Sequence, residues 1–361
     1  MVSLDLVRKA NSGLKSRLPS PVALFVGGTS GIGRSTLRQL AFNTRAPKAY
    51  IVGRSESNAE QLLKELNDIN PLGSFNFIEA DVSLISNVDK ACESIKQQEQ
   101  ALDLLFMTPG GLSLVGRRET SEGIDKLFAL RYYARMRFTQ NLLPLLEAAE
   151  PQPGRVVSVL GGGFEGNINA KDLDLKHNYN IVSCAMHSVT MTSLAMEHLA
   201  ASHRASFVHV YPGLVGTNIY TNSFPPPLAA VYNYGMWPLM YPFSVNIDES
   251  GQRHLFHATS DRYAANKLES PGDMNVQHES ERAVGSGGVL GSGAYLMNWK
   301  GETIAAGKKM QSLRAQGMAH KIWEHTTDVL SRSIAVKIER TRVEIRPEPI
   351  NQLSGVQAGG G

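Results

Sequence analysis

Apolar residues along the chain follow two rhythms. Short unbroken bursts occur at 22–28 ("VALFVGG"), 49–54 ("AYIVGR"), 75–82 ("FNFIEADV"), 102–110 ("LDLLFMTPG"), 154–162 ("GRVVSVLGG"), 205–213 ("ASFVHVYPG") and 293–299 ("GAYLMNW"). Between them, 32–42, 57–69, 86–98, 121–148 and 181–203 repeat their apolar positions every three or four residues. Unbroken bursts fit strands covered on both faces, as in a parallel sheet, and the longer period fits helices lying on those faces. The pattern predicts a βαβ rhythm and hence an α/β fold, a Rossmann-type doubly wound parallel sheet in a single domain.

Other segments fall outside this rhythm. Residues 1–19 read as an N-terminal extension with a short amphipathic helix packed on the domain surface. Asp5, Arg8 and Lys9 leave no apolar run of signal-peptide length there. Residues 214–246 carry "FPPPLAAVYNYGMWPLMYPF". The triple proline forbids one continuous helix, and the stretch is too short and interrupted to span a membrane. It reads as an apolar lid over an apolar substrate, with a segment that dips into a membrane surface as the alternative. The polar, glycine-rich 267–292 reads as a surface loop, and "KIWEHTTDVL" (321–330) as an amphipathic helix covering the sheet edge, with Trp323 and His325 structural. The folded domain is expected over 20–335 and a disordered tail over 336–361.

Composition narrows the function classes. With 42% apolar and 19% charged residues in 361, the chain is ordinary globular protein. Its net charge of +3 is too mild for a nucleic-acid partner, and no dense basic block is interleaved with aromatics. Two cysteines, Cys92 and Cys184, give neither a disulfide framework nor zinc spacing, so no metal is expected and a reducing, cytoplasmic setting is.

The first chemical signal is "VGGTSGIGR" (26–34), where a strand pattern passes into a helix pattern. Gly27, Gly31 and Gly33, with Ser30 and Ile32 in the same turn, allow a tight bend and close approach of phosphates to a helix N-terminus. The second burst ends in Arg54 and Ser55, where a cofactor lacking the 2′-phosphate would call for an acidic residue. An arginine pairs with a 2′-phosphate, so the expected cofactor is NADP(H). Asp81, in "EADVS", is placed to meet the adenine edge.

With "GGTSGIG", "EADVS", "MTPGG", "RVVSVLGGG", Tyr179 and "YPGLVGTN" in this order, the chain resembles a short-chain dehydrogenase/reductase over about 20–335. It is particularly similar to reductases of fungal secondary-metabolite clusters. The resemblance implies that Val215 and Thr217 approach the nicotinamide amide. It also implies that helices 121–148 and 181–203 build a four-helix homodimer interface. It further implies a Tyr general acid/base, a Lys four residues later, a Ser on strand five and an Asn in the preceding helix.

Here the chain departs from the pattern. The Ser position falls on Gly161, with Ser158, three residues earlier on the strand itself, as a poorly placed substitute. The Tyr position falls on Tyr179 or on Asn180, so the Lys position falls on Ser183 or Cys184. The Asn position falls near Arg131. An unperturbed tyrosine, with a pKa of about 10, needs a neighbouring cation to work near neutrality. Arg131 and His187 are the candidates, and the N–H groups of Gly161 to Gly163 are candidates to polarise a carbonyl. Either residue can equally be a packed or paired structural group. Tyr132 and Tyr133 can line a substrate site or simply pack. The expected function is an NADP(H)-dependent oxidoreductase interconverting ketone and alcohol on a bulky apolar metabolite. The alternative is a non-redox relative: a rearrangement or cyclisation catalyst, or a metabolite- or partner-binding pseudoenzyme.

Overall fold

The computed structural model describes residues 2–111, 116–217, 225–266 and 282–344, with side chains as far as 336. Its centre is a seven-stranded sheet in the order β3-β2-β1-β4-β5-β6-β7. The strands are β1 (Val22–Val26), β2 (Lys48–Gly53), β3 (Ser74–Glu79), β4 (Leu104–Met107), β5 (Arg155–Val159), β6 (Ser206–Val210) and β7 (Ala294–Met297). Every pairing is parallel. Strand β1 shows why the bursts are unbroken. Ala23 and Phe25 enter the apolar cluster on one face, and Leu24 and Val26 enter the cluster on the other.

One face is covered by α1 (Leu4–Ser12), α2 (Leu14–Arg17), α3 (Gly31–Asn43), α4 (Glu56–Ile69) and, later in the chain, α11 (Ile247–Thr259). The other carries α5 (Ile85–Lys96), α6 (Lys126–Phe128), α7 (Ala134–Glu147) and α8 (Ile181–Ala200). Strand order reverses between β1 and β4, which opens a crevice at their carboxyl ends where such sheets bind ligands. The N-terminal extension forms the expected short helix. Leu14 and Val7 join the core, and Asn11 donates to the carbonyl of Gln252 on α11 at 2.9 Å.

Several expectations need correction. The helix read over 121–148 begins only at Lys126, because Gly123 turns at φ 78° and Asp125 caps the first helical turn. The helix then opens into a wide π-helical turn, Ala129–Tyr133, before α7. In the 214–246 segment, 218–224 lie outside the described residues. Pro225 to Pro227 start a helix, α9 (Pro226–Val231), since proline is tolerated in a first helical turn. A second π-turn (Tyr232–Met236) and α10 (Trp237–Met240) come next. Most of the 267–292 loop, 267–281, also lies outside the described residues.

After α12 (Lys308–Ala315) comes α13 (Met318–Glu344), which runs past the expected boundary at 335. It covers the outer side of α8 rather than the sheet edge. Met318, Ile322, Val329 and Leu330 pack with Met191, Leu194 and Ala195. The face that the homodimer expectation assigns to a partner is thus covered by the chain's own helix. Tyr132 and Tyr133 are fully buried beneath α13 and do not line a crevice. Their hydroxyls meet Thr326 Oγ1 (2.5 Å) and His325 Nε2 (3.1 Å). Of the tail expected to be disordered over 336–361, residues 336–344 are helical, and the rest lies outside the described residues.

Candidate active site

The crevice begins with the glycine turn. Gly27 and Gly31 have φ of 81° and 54°, a region that side chains avoid. A Cβ on Gly33 would lie 2.5 Å from the Gly27 carbonyl oxygen, so the turn can close only with glycine there. Thr108, just after β4, donates its hydroxyl to Gly27 O at 3.0 Å and fixes the turn from across the switch point. Ser30 precedes α3 without a capping side-chain bond, which leaves the first N–H groups of this 13-residue helix for a ligand. Ile32 instead turns toward the core. Thr217 reaches the same loop: its Cγ2 would lie 3.2 Å from a Cβ on Gly31. Val215 is held by a bridge to Val245.

Arg54 is exposed beyond the end of β2 and makes no ion pair among the described residues. Ser55 has a different local task, capping α4 by accepting from the Asn58 N–H at 3.4 Å. Burial works against the charge of Asp81. Hydrogen bonding from Ser83 and the charges of Lys126 and Arg54 outweigh it and hold the carboxyl below its ordinary range. Arg54 and Asp81 therefore sit within electrical reach, at the ends of adjacent strands.

The β5 side is built from side-chain networks. A Cβ on Gly161 would lie 2.7 Å from Val189 Cγ2, so Val189 fills the space a serine would need. The Gly161 N–H donates to His209 Nε2 (3.2 Å), which makes Nδ1 the donor to Ser193 Oγ (2.8 Å). Ser193 donates in turn to Glu165 Oε1 (2.7 Å), which also accepts the Gly163 N–H (3.0 Å). Two of the three N–H groups expected to polarise a carbonyl are thus committed inside the protein. Ser158 is no substitute for the missing serine, since its Oγ is held at 2.6 Å by Arg135, a fully buried guanidinium.

Tyr179, Cys184 and Arg131 come together at the start of α8. Burial, then the neighbouring Cys184 and Asp125, push the Tyr179 hydroxyl upward, away from neutrality. Burial likewise pushes the Cys184 thiol up to about 11, against the pull of Arg131. Burial lowers the Arg131 guanidinium, opposed by Cys184 and Tyr179. Asn180 is the N-cap of α8, accepting from the Ser183 N–H at 2.8 Å, which explains why the helix starts there. His187 is engaged by the backbone. Its Nε2 accepts from the Asn169 N–H (2.9 Å), Nδ1 faces Leu173 O (3.4 Å), and burial lowers its pKa.

Sequence reasoning missed Thr108, Arg135, Glu165, Ser193 and His209. The signal available for Arg135 was an arginine four residues after Arg131, on the same face of the helix. The others act through contacts between distant segments.

The profile of the short chain dehydrogenase family matches residues 21–227, from β1 into the apolar insert. The chain belongs to this family. Among curated relatives of this short chain dehydrogenase, Oxidoreductase AN1596 of Emericella nidulans is 57% identical, covering 92% of this chain and 99% of that one. Oxidoreductase andH of Emericella variicolor is 43% identical over 90% of this chain and 96% of that one. Short-chain dehydrogenase/reductase SAT2 of Stachybotrys chartarum is 33% identical, covering 91% and 97%. L-sorbose reductase of Gluconobacter frateurii, solved with NADPH and L-sorbose, superposes with a TM-score of 0.51. It is 16% identical over 67% of this chain and 90% of that one, a likeness of fold alone. As a short chain dehydrogenase resembling fungal oxidoreductases, the chain is assigned to the oxidoreductases. No described helix is long and apolar enough to cross a membrane.

Proposed function

We propose that the protein uses NADP(H) to interconvert a ketone and an alcohol on a bulky apolar metabolite, in secondary-metabolite biosynthesis. The observation that carries the reading is the pairing of a glycine turn too tight for any Cβ at Gly33 with an exposed Arg54, without an ion pair among the described residues, one strand away. Gly27, Ser30, Gly31 and Gly33 fit a pyrophosphate, Arg54 and Ser55 a 2′-phosphate, Asp81 the adenine edge, and Val215 and Thr217 the carboxamide. When bound, the cofactor supplies or takes the hydride. Tyr179, held protonated by its surroundings, keeps a proton ready for a developing alkoxide, with Arg131 as the nearby cation. An apolar substrate is supported by the aromatic surroundings. The Phe164 and Tyr211 rings meet at 4.5 Å, tilted by 58°, beside the β5 and β6 ends, and Trp237 of the insert packs on Gly216 and Tyr232. The insert is read as the lid over that substrate.

The buried free thiols Cys92 and Cys184 support a reducing, cytoplasmic setting. A homodimer would use a face other than the one α13 covers. The same Tyr179 environment favours a second reading, a non-redox relative, because a hydroxyl held this far up makes a poor base. The test is titration with NADPH and NADH, followed by NADPH oxidation against a panel of bulky apolar ketones. Failure to bind either nucleotide overturns the proposal. Tight NADPH binding without hydride transfer to any ketone favours the non-redox reading.

A further inference from the structure

The π-turn and its arginines point to a property of the substrate. Wide turns of this kind recur at functional sites, where the extra residue re-aims a side chain. This one carries Arg131, whose one hydrogen bond among the described residues runs from Nη2 to Gly111 O at 3.0 Å. Its Nε is buried and has no partner among them. One turn on, Arg135 is fully buried and donates, among the described residues, only to neutral acceptors: Leu130 O, Met107 O, Pro109 O and Ser158 Oγ.

Among the described residues, no carboxylate balances this pair. Asp125, whose carboxylate bears on Tyr179 and Cys184, also accepts the Phe128 N–H (2.9 Å) and the Arg118 N–H (2.8 Å), and it is not among the groups that act on Arg131. Tyr179 and Cys184 are both pushed up by burial and remain neutral, so neither supplies a negative charge. A fully buried guanidinium beside a half-buried one, without an acidic partner, is costly unless an anion joins them.

We propose that Arg131 is an anion-binding residue, and that the substrate carries a carboxylate or an acidic enol beside its apolar body. The inference deepens the reading of this crevice as a metabolite site and rests on it. A planar anion can take two N–H bonds from a guanidinium, a fit that a neutral ketone does not offer. Arg54 lies beyond the end of β2, so in the proposed reading the 2′-phosphate is not the anion concerned, and a naphthoate preference that persists under saturating NADPH would set the pyrophosphate aside as well.

The test compares 2-naphthoate with its neutral analogue 2-naphthamide by calorimetry on the full chain, with and without saturating NADPH. The wild type should bind naphthoate about tenfold or more tightly than the amide, the worth of one charge-assisted pairing. Arg131→Gln should bring the ratio to about one, and Arg131→Lys, which keeps the charge but loses the fork, should fall between. Circular dichroism checks the fold of each variant. Equal affinities in the wild type, no binding of either probe, or a ratio that survives Arg131→Gln in a folded protein overturns the proposal. The wild-type comparison decides even if the variants do not fold. Loss of NADPH binding with the naphthoate preference intact would sink the cofactor reading alone.

Discussion

The two sides of the sheet are built on different principles. On the β1–β4 side, the turn at Gly27, Gly31 and Gly33 is shaped by backbone, and its tolerances are set by where a single Cβ would collide. On the β5–α8 side, the shape comes from side chains that meet from far apart in sequence: Arg135 on Ser158, His209 on Gly161, Ser193 on Glu165. The first matches the pattern that the family resemblance implies, and the second departs from it. A backbone cradle leaves few residue choices. A side-chain network can exchange serine and lysine for other groups while the fold persists.

The sharpest break in the comparison is expected at Tyr179. Tyr179→Phe should lower turnover by about 10²- to 10⁴-fold, the usual worth of a placed acid, and leave NADPH affinity unchanged. Because its surroundings hold the hydroxyl above its ordinary pKa of 10.0, the reduction rate should stay flat through neutrality and fall only under strongly alkaline conditions. Full turnover in the phenylalanine variant would remove the proton-donor role. An alkaline fall beginning near neutrality would contradict the environment described for it.

Next in size is a disturbance confined to the cradle. Gly33→Ala places a methyl 2.5 Å from Gly27 O, an overlap that backbone atoms cannot yield to cheaply. NADPH affinity should fall by about a hundredfold or more, since a shift in the turn removes several phosphate contacts together. Arg54→Asp should act in the same half but more narrowly. It should weaken NADPH by about ten- to a hundredfold and leave NADH little changed, because only the 2′-phosphate contact is lost. An unchanged NADPH-to-NADH ratio in a fluorescence titration would remove the 2′-phosphate assignment.

This division also explains what was legible in the sequence. Each apolar burst became a strand that stops short of the burst's end, because burial on two faces leaves a local trace such as Ala23 and Phe25 against Leu24 and Val26. The glycine turn was legible because positive φ and close approach leave few residue types. For His187, helical spacing says nothing of its burial or of the Asn169 N–H that its Nε2 accepts, both of which favour the neutral ring. The π-turn at Arg131 and the position of α13 over α8 depend on tertiary packing, which overrides the period of 3.6. The Ser158 hydroxyl looked available only because Arg135, its partner, is 23 residues away in sequence.

The smallest effect expected is a slope of stability with pH, and the part of it that His209 carries separates the two sides, since His254 lies on α11, against α3 and Phe106. All ten histidines of the chain lie at or beyond His177. Burial, with Arg135 nearby, lowers His209 to about 3, and burial lowers His254 to about 4. In the unfolded chain both take up protons near the ordinary value of 6.5. Their folded pKa values are depressed, so the unfolded state binds more protons below that point. Stability should be at full value above pH 6.5 and decline as pH falls toward the depressed values, by on the order of 1 kcal/mol per histidine per pH unit at most. The Gly161 amide depends on neutral His209 Nε2, so hydrogen exchange at pH 5 should rise first in the Gly161–Phe164 loop. The Gly27–Gly33 turn, which no histidine among the described residues touches, should keep its protection. Equal loosening of both regions would show that acid acts on the whole fold rather than on the side-chain half.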